Sequence, residues 1–491
     1  MKLKTKFLNW SAGFPVVMLN EKTAGEMGVP AKGRVLLKTI SKKSKETMAI
    51  TNLVKNIVKE NEVAVSSEIK KILSVKKNQK IEVILGEIPK SIELIKKKLD
   101  NKPLSEKEID EIIIDVVKGT LSDPEIALFV SALYKQGLSM KETISLIKAI
   151  LKTGNRLYFK NKLVVDKHSI GGIAGRTTPI VVSICAAAGL IVPKTSSRAI
   201  TSAAGTADIL ESVADVDFPL KKIKKIIRKT NACIVWGGSL GLVPADSKII
   251  NVEKLLKIDP EAQLLSSIIA KKLAVGSKYI VIDIPYGKTA KVNKSKALKL
   301  KKNFEKIARY FNKNIKCLLV ENTGPLGNSI GPCLELIDVL KILRRESPCH
   351  LLEKRSLELS GALLEMSGKA KKNQGKKLAK EILDSGKALD KFKQIIKAQN
   401  GDLNRIYLGK FKKNILASSS GKIQEIDNKN INLLARITGS PIYKGSGISL
   451  HKNVGSRVQK GQSLLTIYSE SKTRLRNALD FYKKSKPVRI N

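Results

Sequence analysis

The sequence predicts a multidomain α/β protein: a β-rich N-terminal domain, a helical lobe, a parallel α/β domain and a β-rich C-terminal domain. Three observations predict it. From residue 163 onward, short apolar runs alternate with glycine-rich turns and helical patterns. Ahead of them, three Ser-x-x-Glu tetrads open amphipathic stretches. Both ends of the chain carry short β-type runs with Gly and Pro punctuation. With 491 residues and 42% hydrophobic content, the chain can bury several cores, and at 4% aromatic content those cores must be aliphatic.

In order, residues 1–86 form the β-rich N-terminal domain, with strands at 34–38 and 81–85 and one short helix starting near Ser67. Residues 86–90 read as a linker. Residues 91–162 form the helical lobe. Its helices start at Ser105, Ser122 and Ser139, each followed three positions on by Glu108, Glu125 and Glu142. Pro124 suits a first helical turn, and Gly154 suits a helix end. Residues 163–414 form the α/β domain, with strands expected at 163–165, 190–192, 232–235, 279–284 and 317–320. Residues 300–310 and 369–392 read as lysine-rich helices with solvated faces. Residues 415–491 return to short β segments, and 454–468 resembles the hammerhead turns of lipoyl-like domains without a carrier lysine.

Composition narrows the function. Ninety-one Lys and Arg against 44 Asp and Glu give a net charge of +47. The lysines are spread along the chain without interleaved aromatics, which argues for a compositional origin over a nucleic-acid partner. An anionic substrate would still gain from such a field. The cysteines at 185, 233, 317, 333 and 349 form no C-x-x-C pair, and His168, His350 and His451 are far apart. Reduced thiols and no metal are expected. No run suits a bilayer span or signal peptide, so a cytoplasmic location is expected.

Two turns carry the chemistry. The first, DKHSIGG (166–172), follows an apolar strand; its glycines let backbone approach a ligand, and Lys167 and Ser169 can surround an oxyanion. The second, KTSSRAITSAAGTAD (194–208), follows the next strand. Ser196, Ser197, Thr201, Ser202 and Thr206 offer hydroxyls, Arg198 offers a bidentate guanidinium, and Ala199, Ala203, Ala204 and Gly205 leave space. In a parallel sheet both turns belong at the carboxyl ends of strands, where ligands bind.

These blocks, followed by GGSLGLVPAD (237–246) and DPEAQLLSSIIAKKLA (259–274), resemble the pyrimidine-nucleoside phosphorylase family over nearly the whole chain. The form KHSIGG, RTTP, KTSSRAITS, with its N-terminal extension, is most similar to the archaeal branch that acts on AMP. The resemblance implies phosphorolysis of a nucleoside 5′-monophosphate, AMP with CMP and UMP tolerated, to ribose 1,5-bisphosphate and free base. It implies no cofactor, inorganic phosphate as co-substrate, a cleft that closes, and a homo-oligomer with the N-terminal domain as assembly module. It places Lys167, Ser169, Ser196 and Thr206 at inorganic phosphate. Gly171 and the run Ser197, Arg198, Ala199, Ile200, Thr201 and Ser202 fall on the nucleotide, with Ser267 and Lys291 near it. Asp259 falls on the proton donor.

Some of these residues carry a second reading. Asp259 before Pro260 has the form of a helix cap, and a donor at neutral pH needs a pKa well above about 3.9. Lys271, one turn after Ser267, could reach the same ligand. Arg176 could help bind a second phosphate. His168 is not assigned as a base. Where thymidine phosphorylases carry a pyrimidine-reading arginine, fifteen residues before the Ser267 position, this chain has Val252. A thymidine or uridine phosphorylase, an anthranilate phosphoribosyltransferase-like enzyme and a nucleic-acid-binding protein are the competing readings.

Overall fold

A computed structural model of the chain describes residues 1–41, 43–159, 162–199 and 202–491, with the side chain of Ser239 left out. It forms two compact units, residues 1–154 with 244–267 and residues 155–243 with 268–491.

The first unit opens with a closed barrel of six strands: β1 (Lys2–Phe7), β2 (Val16–Asn20), β3 (Arg34–Thr39), β4 (Glu46–Val54), β5 (Glu62–Val65) and β6 (Lys80–Leu85), in the order β1-β5-β2-β4-β3-β6. In β3, alternate residues Val35, Leu37 and Thr39 are buried, so the period-two pattern fills the barrel interior. The expected strands at 34–38 and 81–85 lie in β3 and β6. The barrel mixes parallel pairs (β1 with β5, β2 with β4) and antiparallel ones.

The helices Glu106–Lys118, Asp123–Gln136 and Met140–Lys152 start where the Ser-x-x-Glu tetrads place them. At Ser105 and Ser139 the serine hydroxyl accepts the amide of the glutamate, while the carboxylate accepts the serine amide. Each such exchange is worth about 1 kcal/mol. At Ser122 the hydroxyl instead donates to the Glu125 carboxylate at 2.8 Å. That carboxylate also receives Arg34 from β3, fastening the barrel to the bundle. The helices Lys90–Leu99 and Pro244–Leu256 complete the bundle.

The second unit is built on β7 (Val165–Ser169), β8 (Val192–Ser196), β9 (Ala232–Trp236), β10 (Tyr279–Tyr286) and β11 (Asn314–Glu321). β8 pairs with β9 and β10 with both β7 and β11, all in parallel. A parallel bridge from Val164 to Ile191 joins the two groups into the order β9-β8-β7-β10-β11. Each of the five expected strands overlaps one of these, but β7 and β8 start at the last residue of the expected runs 163–165 and 190–192 and continue four residues beyond them. They carry Asp166, Lys167, Lys194 and Thr195 into the sheet as buried polar residues. An apolar-run criterion stops too early here because the polar strand ends are satisfied by partners elsewhere in the chain. The helix Thr177–Ala187 is buried at ten of its positions and forms the heart of the core. At the C-terminal end, Ser329–Ile330, Gly447–Leu450, Ser463–Ser469 and Phe411–Leu416 form a four-stranded sheet. No helix among the described residues is long and apolar enough to cross a membrane.

Candidate active site

The first turn stands on buried ions. Asp166 is fully buried. Its carboxylate lies 2.7 Å from the Lys272 ammonium and 3.5 Å from that of Lys194, and it accepts the Lys167 amide at 2.7 Å. The Lys167 ammonium donates to Thr177 Oγ1 at 2.7 Å and lies 3.9 Å from Asp283. Asp283 in turn accepts Arg355 Nε at 3.1 Å and Nη2 at 2.5 Å. Arg355 also reaches Glu358, a half-buried carboxylate at the edge of the cluster. Asp166 and Asp283 thus lie among the buried Lys167, Lys194, Lys272 and Arg355, with Glu358 at the edge.

The titration of these groups follows from that balance. Burial pushes Lys167 down to about 8, opposed by Asp283 and reinforced by Arg355, Arg176 and Lys272. Burial also lowers Lys272, with Asp166 opposing. Burial and the cations Lys272, Lys194, Lys271 and Lys167 hold His168 well below its usual range, so its imidazole is neutral at pH 7. After β7 the chain turns through Gly171 (φ +87°) and Gly172 (φ +90°). A Cβ on Gly172 would stand 2.9 Å from Lys291 Cβ and 3.1 Å from its backbone nitrogen. Glycine therefore lets the segment after β10, which carries Lys291, close onto the first turn. Ser169 Oγ accepts the Gly171 amide at 3.4 Å.

The second turn is organised by one carboxylate. Asp208 Oδ2 accepts the amides of Ala199 and Gly205, each at 2.7 Å, and Oδ1 accepts Arg198 at 3.3 Å. The loop closes on itself so tightly that a Cβ on Gly205 would lie 2.4 Å from the Ser197 carbonyl oxygen. The sequence suggests that Arg198 offers its guanidinium to phosphate; the structure pairs it with protein instead. Nη1 and Nη2 each donate to Glu211 at 2.6 Å, and the guanidinium lies 4.9 Å from the Trp236 ring centroid. Lys444 reaches Glu211 at 2.6 Å as well. Arg198 and Lys444 hold Glu211 at about 2 despite its burial. Ser196 is buried at the end of β8, and its hydroxyl, like that of Thr195, lacks a hydrogen-bond partner among the described residues. Ser197 is exposed, and Thr206 is half-buried at the first position of the helix Thr206–Leu210. Ile200 and Thr201 lie outside the described residues.

Lys167, Ser169, Gly171, Ser196, Ser197, Arg198, Ala199, Ser202, Thr206 and Lys291 all belong to the second unit, on or after neighbouring parallel strands. Asp259 and Ser267 belong to the first. The Pro260 carbonyl accepts the Leu264 amide at 2.9 Å. That makes Pro260 the cap residue of the helix Glu261–Ala274 and leaves Asp259 one residue outside it, so Asp259 does not occupy the cap position. Ser267 is buried, and Lys271 follows one turn later on the same helix. Val252 is buried in the helix Pro244–Leu256.

Sequence reading missed Lys272, Asp283 and Arg355, and quoted Asp166 and Lys194 in the two turns without giving them a role. The only local signal was an ionisable pair, Asp166-Lys167, directly after an apolar run. Asp208 was visible in the motif, but its part in closing the loop was not.

A helical bundle and a parallel α/β sheet with glycine-rich strand-end turns are the two parts of a glycosyl transferase of the family matched here. Residues 92–154 match the helical bundle domain of the glycosyl transferase family, 161–296 its a/b domain, and 422–488 the pyrimidine nucleoside phosphorylase C-terminal domain. Anthranilate phosphoribosyltransferase from Thermus thermophilus shares the fold, with a TM-score of 0.52 at 19% identity over 62% of this chain and 99% of that one. The AMP phosphorylase of Thermococcus kodakarensis is 41% identical over 100% of this chain and 98% of its own. That of Methanococcus vannielii is 39% identical over 99% of this chain and 97% of its own. The chain belongs to the pyrimidine nucleoside phosphorylase family, within its AMP phosphorylase branch.

Proposed function

We propose that this protein cleaves AMP with inorganic phosphate, and CMP and UMP as well, releasing the free base and ribose 1,5-bisphosphate. The observation that carries this reading is the full-length identity to AMP phosphorylases. It is supported by the cluster of buried lysines and Arg355 and by the two unpartnered hydroxyls at the strand ends.

In this reading Lys167, Ser169, Ser196 and Thr206 hold inorganic phosphate. The second turn, Gly171, Ser267 and Lys291 hold the nucleotide. A phosphate oxygen attacks C1′, the glycosidic C1′–N bond breaks, and its electron pair leaves with the base. Asp259 delivers the proton that the departing base needs. The cations offset repulsion between the two phosphate groups, and the turns hold the nucleophile in line. No cofactor enters. The protein works as a homo-oligomer in the cytoplasm, with the barrel as assembly module.

The test is a product assay with phosphate and each of AMP, CMP, UMP, adenosine and thymidine. Base release from the monophosphates but not the nucleosides is expected. Release only from thymidine would replace this reading with a nucleoside phosphorylase, and no release would end it. Asp259→Asn should lower kcat by about a hundredfold while nucleotide KM changes little; a normal kcat would remove Asp259 from the chemistry.

A further inference from the structure

We propose that Arg176 is a positioning residue that sets the second turn from the interior of the protein, and is not a ligand of a second phosphate; the substrate side of this inference rests on the function proposed above. Arg176 comes four residues after Gly172 of the first turn and precedes the helix Thr177–Ala187. Its side chain is 13% exposed. Nη2 donates to Ser202 Oγ at 2.9 Å and to the Ala204 carbonyl. Nε lies 3.1 Å from Glu335 Oε2.

The partners are themselves fixed. Glu335 is almost fully buried on the helix Pro332–Arg344, and its Oε1 accepts the Gly331 amide at 3.2 Å. Burial raises its pKa, and Arg176 is the cation that opposes the rise. Ser202 Oγ passes a hydrogen bond to the Ala204 carbonyl at 2.7 Å, and the Ala203 amide donates to Asn432 Oδ1 at 2.9 Å. Segment 202–204 is therefore pinned by Arg176 and by the C-terminal domain. The backbone entering Arg176 is equally confined, since a Cβ on Gly175 would stand 2.5 Å from the Gly327 nitrogen.

The geometry makes Arg176 a strut. Its backbone lies four residues after Gly172 of the first turn, and its guanidinium ends on the second turn. Glu335 offsets part of its charge, and the remainder adds to the cations that lower Lys167. Nη2 is committed to Ser202 and Ala204, and Nε lies against the Glu335 carboxylate at 3.1 Å without a hydrogen bond.

The experiment uses the full-length protein with Arg176→Gln, which removes the charge and the fork, and Arg176→Lys, which keeps a cation opposite Glu335 and protects against misfolding. Two readouts are taken. Without substrate, trypsin should cleave after Arg198 at least fivefold faster in Arg176→Gln than in wild type, and at an intermediate rate in Arg176→Lys. In steady state, Arg176→Gln should raise the AMP KM and the competitive Ki of adenosine by the same factor, about tenfold, with phosphate KM within twofold. A weakened AMP KM with unchanged adenosine Ki would make Arg176 a phosphate ligand and overturn the proposal. Unchanged cleavage at Arg198 in both variants would overturn it too. Faster cleavage in a protein whose wild type does not turn over AMP would keep the strut and reject the function.

Discussion

The two turns at the ends of β7 and β8 use similar small residues but are held in opposite ways. The first rests on charge from below: Lys167 is buried between Thr177 and Asp283, and Asp166 between Lys194 and Lys272. Its glycines serve backbone conformation, both at positive φ. The second is closed from above by a carboxylate that follows it in sequence, Asp208, and its arginine is engaged by Glu211. Its Gly205 serves close approach of backbone to backbone. The first is therefore a turn built on buried charge. The second is a shaped loop whose ions are already paired. In the proposed function the first turn gives Lys167 and Ser169 to inorganic phosphate, while the second adds Ser196 and Thr206 to it and holds the nucleotide with its remaining residues.

The largest test of that contrast is Lys167→Met. It should lower kcat/KM for phosphate by about a hundredfold and leave nucleotide KM within a few-fold, measured in steady state. Equal losses for both substrates would erase the distinction between the turns. Asp208→Asn should do the reverse, raising nucleotide KM by about tenfold with phosphate KM nearly unchanged. It should also lower stability by about 1–3 kcal/mol in denaturant titration, because two amides and Arg198 lose a charged acceptor.

The smallest effect is the most diagnostic, because the turns titrate at opposite ends of the pH scale. Lys167 sits at about 8 in the folded protein, below the ordinary lysine value of 10.5. Between those values the unfolded chain holds more protons, so its contribution to stability rises with pH through that window. The phosphate site loses its cation over the same range, and phosphate KM should climb above pH 8 while nucleotide KM stays flat. Glu211 sits at about 2, below the ordinary glutamate value of 4.5. Its contribution is complete above the unfolded value and is lost as pH falls toward the folded one. Parallel rises of both KM values above pH 8 would refute this assignment.

How much of this was legible depended on distance along the chain. The three helix starts were readable because cap and partner are three residues apart. The five sheet strands were readable as apolar runs, but the ends of β7 and β8 were not. Asp166 and Lys167 look like the start of a loop until Lys272, 106 residues away, and Asp283 are brought beside them. Arg198 is the clearest case of a residue whose protein partners the sequence did not give. A guanidinium fits phosphate and carboxylate alike, and only the fold brings Glu211 and Lys444 to it.

By itself the sequence determined the fold class, the order of the domains, the two turns and the family, because local pattern, turn chemistry and motif spacing are properties of neighbours in the chain. The tertiary structure alone decided which charges are paired. It joined β8 to β7 through one bridge, closed the barrel with both parallel and antiparallel pairs, and set Arg176 between Ser202 and Glu335. The physical reason is that a buried charge takes whatever countercharge the packing delivers, and packing joins residues with no regard to their separation in sequence.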